Sequence, residues 1–124
     1  MNALIKTLNE LMNAKRAGKS EHVAKPVSKL LIKVLELMKR EGYIDFKIIK
    51  DRFEKVAISI KKLNECKAIT PRFYVQKNEV DKFVRRFLPA RDFGILIIST
   101  DKGLLTHPEA AEKGLGGSII AYCY

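Results

Sequence analysis

The spacing of apolar residues changes along this chain, and that change limits the fold more than any other feature. Apolar side chains repeat at helical spacing over residues 3–16 and again in the stretch that follows Ser28, a residue that can cap a helix. This spacing predicts two amphipathic helices. In the first helix these side chains are Leu4, Leu8, Leu11 and Met12. A short stretch from Val23 to Val27, interrupted by Pro26, fits an edge strand or an extended link. Residues 43–49 and 55–60 alternate apolar and polar side chains, which indicates two antiparallel strands.

The second half of the chain has shorter segments with more β character. Strands are predicted at 68–75, 95–98 and 118–124. Asn78 is predicted to cap a short helix, and Thr106 with Glu109 gives the capping-box pattern of another. The expected fold class is therefore α+β, in two small modules. These are a helix-strand-helix-strand-strand module over residues 1–64 and a mostly-β module with short helices over residues 65–124.

Charge indicates the class of partner. The chain of 124 residues carries 24 Lys and Arg against 14 Asp and Glu, a formal charge of +10, and a charge that large attracts polyanions. Residues 1–40 carry about +6, residues 41–90 about +5 and residues 91–124 about −1. Charge by itself therefore places polyanion contacts in the first two-thirds of the chain and does not distinguish RNA from DNA, a membrane or an acidic protein.

The sequence holds no pattern of a metal site or a membrane anchor. His22, His107, Cys66 and Cys123 lack the spacing of metal ligands, and the cysteines are expected to be reduced thiols. No signal peptide is recognised at the start of the chain, and no apolar stretch approaches the roughly 20 residues of a membrane span. We expect no metal, no cofactor and no small-molecule substrate.

The most informative local feature is the polar run Ser99-Thr100-Asp101-Lys102-Gly103, which follows the apolar strand at 95–98. It is predicted to be a loop that a large hydrogen-bonding partner can approach. Ser99 could be drawn as a hydrolase nucleophile, but no Gly-x-Ser-x-Gly turn surrounds it. The glycines Gly114, Gly116 and Gly117 lead from a helix into a strand, the reverse of a phosphate-binding loop. They fit a helix cap with a tight turn, or a surface that a nucleic-acid backbone approaches closely.

A basic stretch near the N-terminus has two interpretations. Its cations, balanced only by Glu21, are Lys15, Arg16, Lys19, Lys25, Lys29 and Lys33. They could simply solvate helix faces, but their density favours a set of phosphate contacts. Phe53, Phe73 and Tyr74 could stack on bases, although their setting predicts core positions.

Several ordered motifs resemble the family of the eighth ribosomal protein of the small subunit. They are the run 94–103, Glu109-Ala110-Ala111 and Gly114-Leu115-Gly116-Gly117 near the C-terminus, and Asn13-Ala14-Lys15-Arg16-Ala17-Gly18-Lys19 with Pro26, Ser28 and Lys29 near the N-terminus. Pro71-Arg72-Phe73 and the run 88–94 resemble the archaeal and eukaryotic branch more than the bacterial one.

The resemblance implies two α/β modules and direct binding to the central domain of small-subunit ribosomal RNA, with a role in subunit assembly. It implies an RNA-reading loop of Ser99, Thr100, Asp101, Lys102 and Gly103, flanked by Gly116 and Gly117. It also implies first-module contacts from Lys15, Arg16, Lys19, Ser28 and Lys29. Asp101 stands where the family usually has serine, and Ser118 stands where bacterial members often have glutamate.

These expectations describe a non-enzymatic, cytoplasmic RNA-binding protein of the small ribosomal subunit, with neighbouring ribosomal proteins as further partners and no homo-oligomer. The nearly neutral run 99–103 would select RNA by shape, base edges and 2′-hydroxyls, while the basic part of the chain attracts and anchors it. The alternative is a basic DNA-binding or chromatin-associated protein.

Overall fold

A computed structural model describes residues 3–25, 27–50, 52, 54–90 and 93–124. The helices are α1 (Ala3–Arg16), α2 (Lys29–Arg40), α3 (Val80–Phe87) and α4 (His107–Lys113). The strands are β1 (Glu21–Ala24), β2 (Ile44–Lys50), β3 (Glu54–Ile60), β4 (Cys66–Val75), β5 (Ile95–Thr100), β6 (Gly103–Thr106) and β7 (Gly117–Cys123). The chain divides into two compact units, Met1–Cys66 and Lys67–Tyr124. The predicted α+β class is confirmed, and the predicted elements follow in the expected order in both halves, with β6 as an additional strand in the second.

Unit 1 (Met1–Cys66) is an antiparallel sheet of order β1-β3-β2 with α1 against β1 and α2 against β2. Its largest fully buried side chains include Leu4, Leu8, Leu11, Leu31, Leu35, Met38 and Ile58. Leu4, Leu8 and Leu11 are residues whose spacing predicted α1, and Leu31, Leu35 and Met38 repeat at the same helical spacing in α2. The Ser28 hydroxyl oxygen accepts from the Leu31 amide at 3.1 Å, so the predicted N-cap of α2 is confirmed.

Unit 2 (Lys67–Tyr124) is a four-stranded sheet of order β4-β7-β5-β6, with a hydrophobic core shared by α3, α4 and the strands. Two capping expectations are confirmed at α4. The Thr106 amide and hydroxyl both donate to Glu109 Oε1, at 3.4 and 3.0 Å, and Gly114 ends the helix in the left-handed region at φ 66°.

The expected cap of α3 is wrong by one position. Gln76 and Glu79 close a turn in which the Gln76 amide donates to the Glu79 carboxylate at 3.1 Å and the Glu79 amide donates to the Gln76 carbonyl at 2.9 Å. Glu79 therefore takes the N-cap position and Asn78 stays exposed within the turn.

Some expectations concern positions outside the described residues. Pro26, Asp51, Phe53, Arg91 and Asp92 lie there, as do the side chains of Pro71, Arg72 and Phe73.

Candidate nucleic-acid interface

The run 99–103 is the tip of a β-hairpin rather than a loop between a strand and a helix. Ser99 pairs with Leu104 and Thr100 with Gly103, so β5 continues to Thr100 and a strand that the sequence did not predict, β6, begins at Gly103. Asp101 and Lys102 form the turn. The positive φ that a short hairpin requires belongs to Gly103, at 102°.

Hydrogen bonds of the Thr100 hydroxyl hold the turn. It donates to the Gly103 carbonyl at 2.8 Å and accepts from the Lys102 amide at 3.1 Å. A hydroxyl has one proton to donate, so Thr100 has no donor left for a partner. Thr100 therefore preorganises the tip.

Asp101 and Lys102 present opposite charges at the exposed end of the hairpin. Within the described part of the chain, neither side chain makes an ion pair or hydrogen bond. Their backbone is fixed by the turn while their charged groups are available to a partner, which is the arrangement of a preformed contact surface.

Two hydroxyl side chains stand side by side behind the tip. Ser99 on β5 is the register partner of Ser118 on β7, and both are half-buried. Directly opposed side chains of neighbouring strands have Cβ atoms about 4.5–5.5 Å apart. Ser118 thus joins the predicted residue Ser99 in one polar patch beside the hairpin.

Gly116 and Gly117 are required by contacts inside the protein. A Cβ atom on Gly117 would overlap the Ser99 carbonyl oxygen, and one on Gly116 would lie 2.5 Å from the Val75 carbonyl oxygen. The close approach that these glycines permit is therefore made by the chain's own backbone. It brings the Gly116-Gly117 turn beside the ends of β4 and β5.

Tyr74 was expected in the core, and the structure corrects this. Its side chain is 69% exposed on β4, an edge strand of the sheet in unit 2. The next residue, Val75, is the one whose carbonyl lies against Gly116, so Tyr74 belongs to the same end of the sheet as the glycine turn. The alternation of β4, which buries Val75, is the signal that could have found it.

The residues predicted to contact RNA in the first module have different roles in the structure. Lys15 Nζ donates to the carbonyl oxygens of Leu63 at 2.5 Å and Asn64 at 3.2 Å, so this ammonium group anchors the end of unit 1. Ser28 has its hydroxyl engaged as the cap of α2. Both therefore have structural roles, of which the sequence indicated the cap at Ser28 but not the contact of Lys15.

Arg16, Lys19 and Lys29 are exposed and suited to contact phosphates. Lys29 borders a groove of about 450 Å³ between α2 and the β2–β3 pair. The groove is lined by Val27, Ser28, Lys29, Ile32, Lys33, Glu36, Ile48, Lys50 and Glu54. Lys33 and Lys50 add two further cations to this groove, and Glu36 and Glu54 add two acidic groups.

The histidines and cysteines have structural roles. His22 Nε2 lies 2.6 Å from Glu10 Oε2, and buried His107 accepts the Leu96 amide on Nδ1 at 3.1 Å. Cys66 and Cys123 are buried free thiols, and burial raises the pKa of Cys66 from 9.0 to about 12.

Among the described residues no three His, Cys, Asp or Glu side chains cluster as metal ligands. The helices in that same part of the chain are all too short or too polar to cross a membrane.

A comparison with protein families completes this picture. The model of the family described as ribosomal protein S8 matches residues 2–124. The chain belongs to the ribosomal protein S8 family. Proteins of the S8 family are structural components of the small ribosomal subunit that bind ribosomal RNA, so ribosomal RNA and other ribosomal proteins are the partners of this chain.

Proposed function

We propose that this S8-family protein binds the central domain of small-subunit ribosomal RNA directly and promotes subunit assembly in the cytoplasm. The motifs at 71–73 and 88–94 support placing it in the archaeal and eukaryotic branch of the family. The observation that carries the proposal is the preformed hairpin tip, with the charged groups of Asp101 and Lys102 beside the hydroxyl pair of Ser99 and Ser118.

The chemistry of the tip suits RNA. Folded RNA is recognised through shape, base edges and 2′-hydroxyls. The Asp101 carboxylate can accept from a base amino group or a 2′-hydroxyl, Lys102 can contact a phosphate, and the two serines can donate or accept. Exposed Tyr74 adds a ring on which an unpaired base can stack.

The basic N-terminal part supplies the general attraction in this proposal. The modules at residues 1–64 and 65–124 divide the work, with exposed cations such as Arg16, Lys19 and Lys29 contacting phosphates in the first and the hairpin selecting RNA in the second. Lys15, Ser28, Thr100, Gly103, Gly116 and Gly117 act by holding these surfaces in place.

A competition experiment tests the binding proposal. A labelled transcript of the small-subunit ribosomal RNA central domain is bound at fixed salt and challenged with unlabelled transcript or with duplex DNA of equal length. Duplex DNA should compete about 10³-fold more weakly, the usual ratio of specific to non-specific binding. Equal competition would favour the alternative, a basic DNA-binding protein.

The hairpin has a matched control in the same unit. The variant carrying Asp101→Ala and Lys102→Ala should lose most of the preference for the transcript. The variant carrying Glu112→Ala and Lys113→Ala removes one exposed acid and one exposed base from α4 and should keep the preference. If the two variants behave alike, the hairpin is not the selective element.

The assembly role has its own measurement. Ribosomal RNA incubated with this chain before the remaining small-subunit proteins should acquire more of them than RNA incubated without it. The same final protein content in both samples would reject the assembly role and leave RNA binding standing.

A further inference from the structure

A row of stacked side chains crosses unit 2 away from the hairpin residues. The Arg86 guanidinium lies 5.6 Å from the centre of the Phe87 ring, and Phe87 stacks on Tyr122 with ring centres 5.5 Å apart. Tyr122 stacks on Tyr124 at 6.3 Å, and Tyr124 contacts Phe93 at 6.1 Å. We call these five residues the aromatic strip. It links the end of α3, β7 and the segment before β5.

Phe93 ends the strip, and the next residue helps to place it there. Gly94 has φ 101°, and a Cβ atom on it would lie 2.6 Å from both the Cys123 carbonyl oxygen and the Tyr124 Cβ. Only glycine lets the backbone pass this close to the end of β7. The Phe93 ring is thereby set against Tyr124 while 49% of the residue remains exposed.

Helix α3 places positive charge at the other end of the strip. Val80 and Val84 face the core, whereas Lys82, Arg85 and Arg86 are exposed. None of these three cations forms an ion pair with another residue that the structure describes. Like charges spaced three or four residues apart, as Lys82 is from Arg85 and Arg86, destabilise an isolated helix, and Asp81 in the first turn offsets part of this repulsion. A bound polyanion would offset the rest.

An exposed aromatic ring at one end of the strip and exposed cations at the other are two elements that binders of single-stranded nucleic acid combine. The ring face stacks on a base and the cations contact the backbone, with little dependence on sequence. A duplex offers the phosphates but keeps its bases stacked on each other. The strip therefore suits an unpaired segment better than a helix.

We propose that the aromatic strip and the cations of α3 bind an unpaired, single-stranded segment of RNA, with a base on Phe93 and phosphates on Lys82, Arg85 and Arg86. This second RNA contact rests on the proposed function in that the same RNA would occupy both surfaces. It differs from the hairpin surface in its chemistry, because it selects strandedness and not a particular folded shape.

The test uses the whole chain and two labelled probes, an oligoadenylate and an RNA duplex of similar length. The oligoadenylate has about 12 nucleotides, a length within the site sizes of proteins that bind single strands. Phe93→Ser should weaken oligoadenylate binding about five-fold or more and change duplex binding less than about two-fold, given the strength of base–aromatic stacking. Phe93→Tyr keeps a ring and should bind oligoadenylate nearly as wild type does. Arg86→Gln should lower the salt dependence of oligoadenylate binding, since one phosphate contact is lost.

Two control variants separate the strip from general effects. Val23→Ser removes an exposed apolar side chain of unit 1, and Lys113→Gln removes an exposed cation of α4 in unit 2. Neither should reproduce the changes at Phe93 and Arg86. The inference is overturned if wild type does not bind oligoadenylate, if Phe93→Ser acts equally on both probes, or if Val23→Ser matches it. None of these outcomes alters the competition between central-domain transcript and DNA, which judges the proposed function separately.

Discussion

The ammonium group of Lys15 donates a hydrogen bond of 2.5 Å to the carbonyl oxygen of Leu63, 48 residues further along the chain. A charged donor in such a bond stabilises the fold more than a neutral one does. The contact gives a lysine from an RNA-binding motif a structural task. Its neighbour Arg16 is exposed at the end of α1 and provides a direct comparison.

Lys15→Gln should lower the free energy of unfolding by about 1.5–3 kcal/mol, the range for a hydrogen bond that involves a charged group. Urea unfolding measures this. Arg16→Gln should leave stability unchanged within about 0.5 kcal/mol, as is usual for exposed sites, but should reduce the salt dependence of RNA binding. The reverse pattern would place Lys15 among the phosphate contacts and remove its structural role.

Thr100→Ala should weaken binding to the central-domain transcript by about 1 kcal/mol, because the turn loses both hydrogen bonds of the hydroxyl. Thr100→Ser keeps the hydroxyl and should bind within about two-fold of wild type. Titrations of the transcript at fixed salt give both numbers. A loss in the serine variant equal to that of the alanine variant would mean that the threonine methyl group, not the turn, is what matters.

Gly117→Ala should destabilise the protein by about 1–3 kcal/mol, as overpacked sites do, since its new methyl group overlaps the Ser99 carbonyl. Ser118→Ala, one residue along β7, should change stability little and RNA affinity more. Thermal unfolding and RNA titration of both variants separate the two roles. Full stability of Gly117→Ala would show that β5 and β7 can move apart at this point.

Stability should fall at high pH because of Cys66. The raised pKa of about 12 in the fold means that the unfolded chain, whose thiol ionises near 9.0, releases a proton first as the pH increases. The contribution of the Cys66 thiol to the free energy of unfolding is fully present below pH 9. Above pH 9 it decreases by about 1.4 kcal/mol per pH unit, until the thiol of the folded protein itself ionises. Urea unfolding of wild type and Cys66→Ala at pH 8 and pH 10 measures the difference.

The control for this effect is Cys66→Ala itself, because it differs from wild type only in lacking this thiol. Wild type should lose more stability than the variant between the two pH values. Parallel losses would show that the thiol is not shielded from water in the fold.

Local patterns predicted the parts of the fold that depend on neighbouring residues. Thr106 and Glu109 lie three residues apart, and their capping interaction forms as the sequence indicates. Strand β6 was missed because its four residues begin with glycine and do not alternate apolar and polar side chains. Its extended conformation depends instead on its pairing with β5.

The candidate interface was predictable only in part, for a related reason. The motif located the hairpin residues, but the hydrogen bond of Thr100 to Gly103 and the engagement of Lys15 with Leu63 exist only in the folded chain. Tyr74 was misjudged because exposure depends on the position of β4 at the sheet edge. The aromatic strip likewise joins residues of α3 and β7 that are distant in sequence.

The opposite charges of Asp101 and Lys102 have a kinetic consequence. A hairpin tip with no net charge exerts little pull on a distant polyanion, whereas the cations of unit 1 act over the Debye length of about 8–10 Å. Encounter rates should therefore depend on residues such as Arg16 and Lys19, and the lifetime of the complex on the hairpin. Capture of RNA and retention of the correct RNA would then be set by different parts of the same small protein.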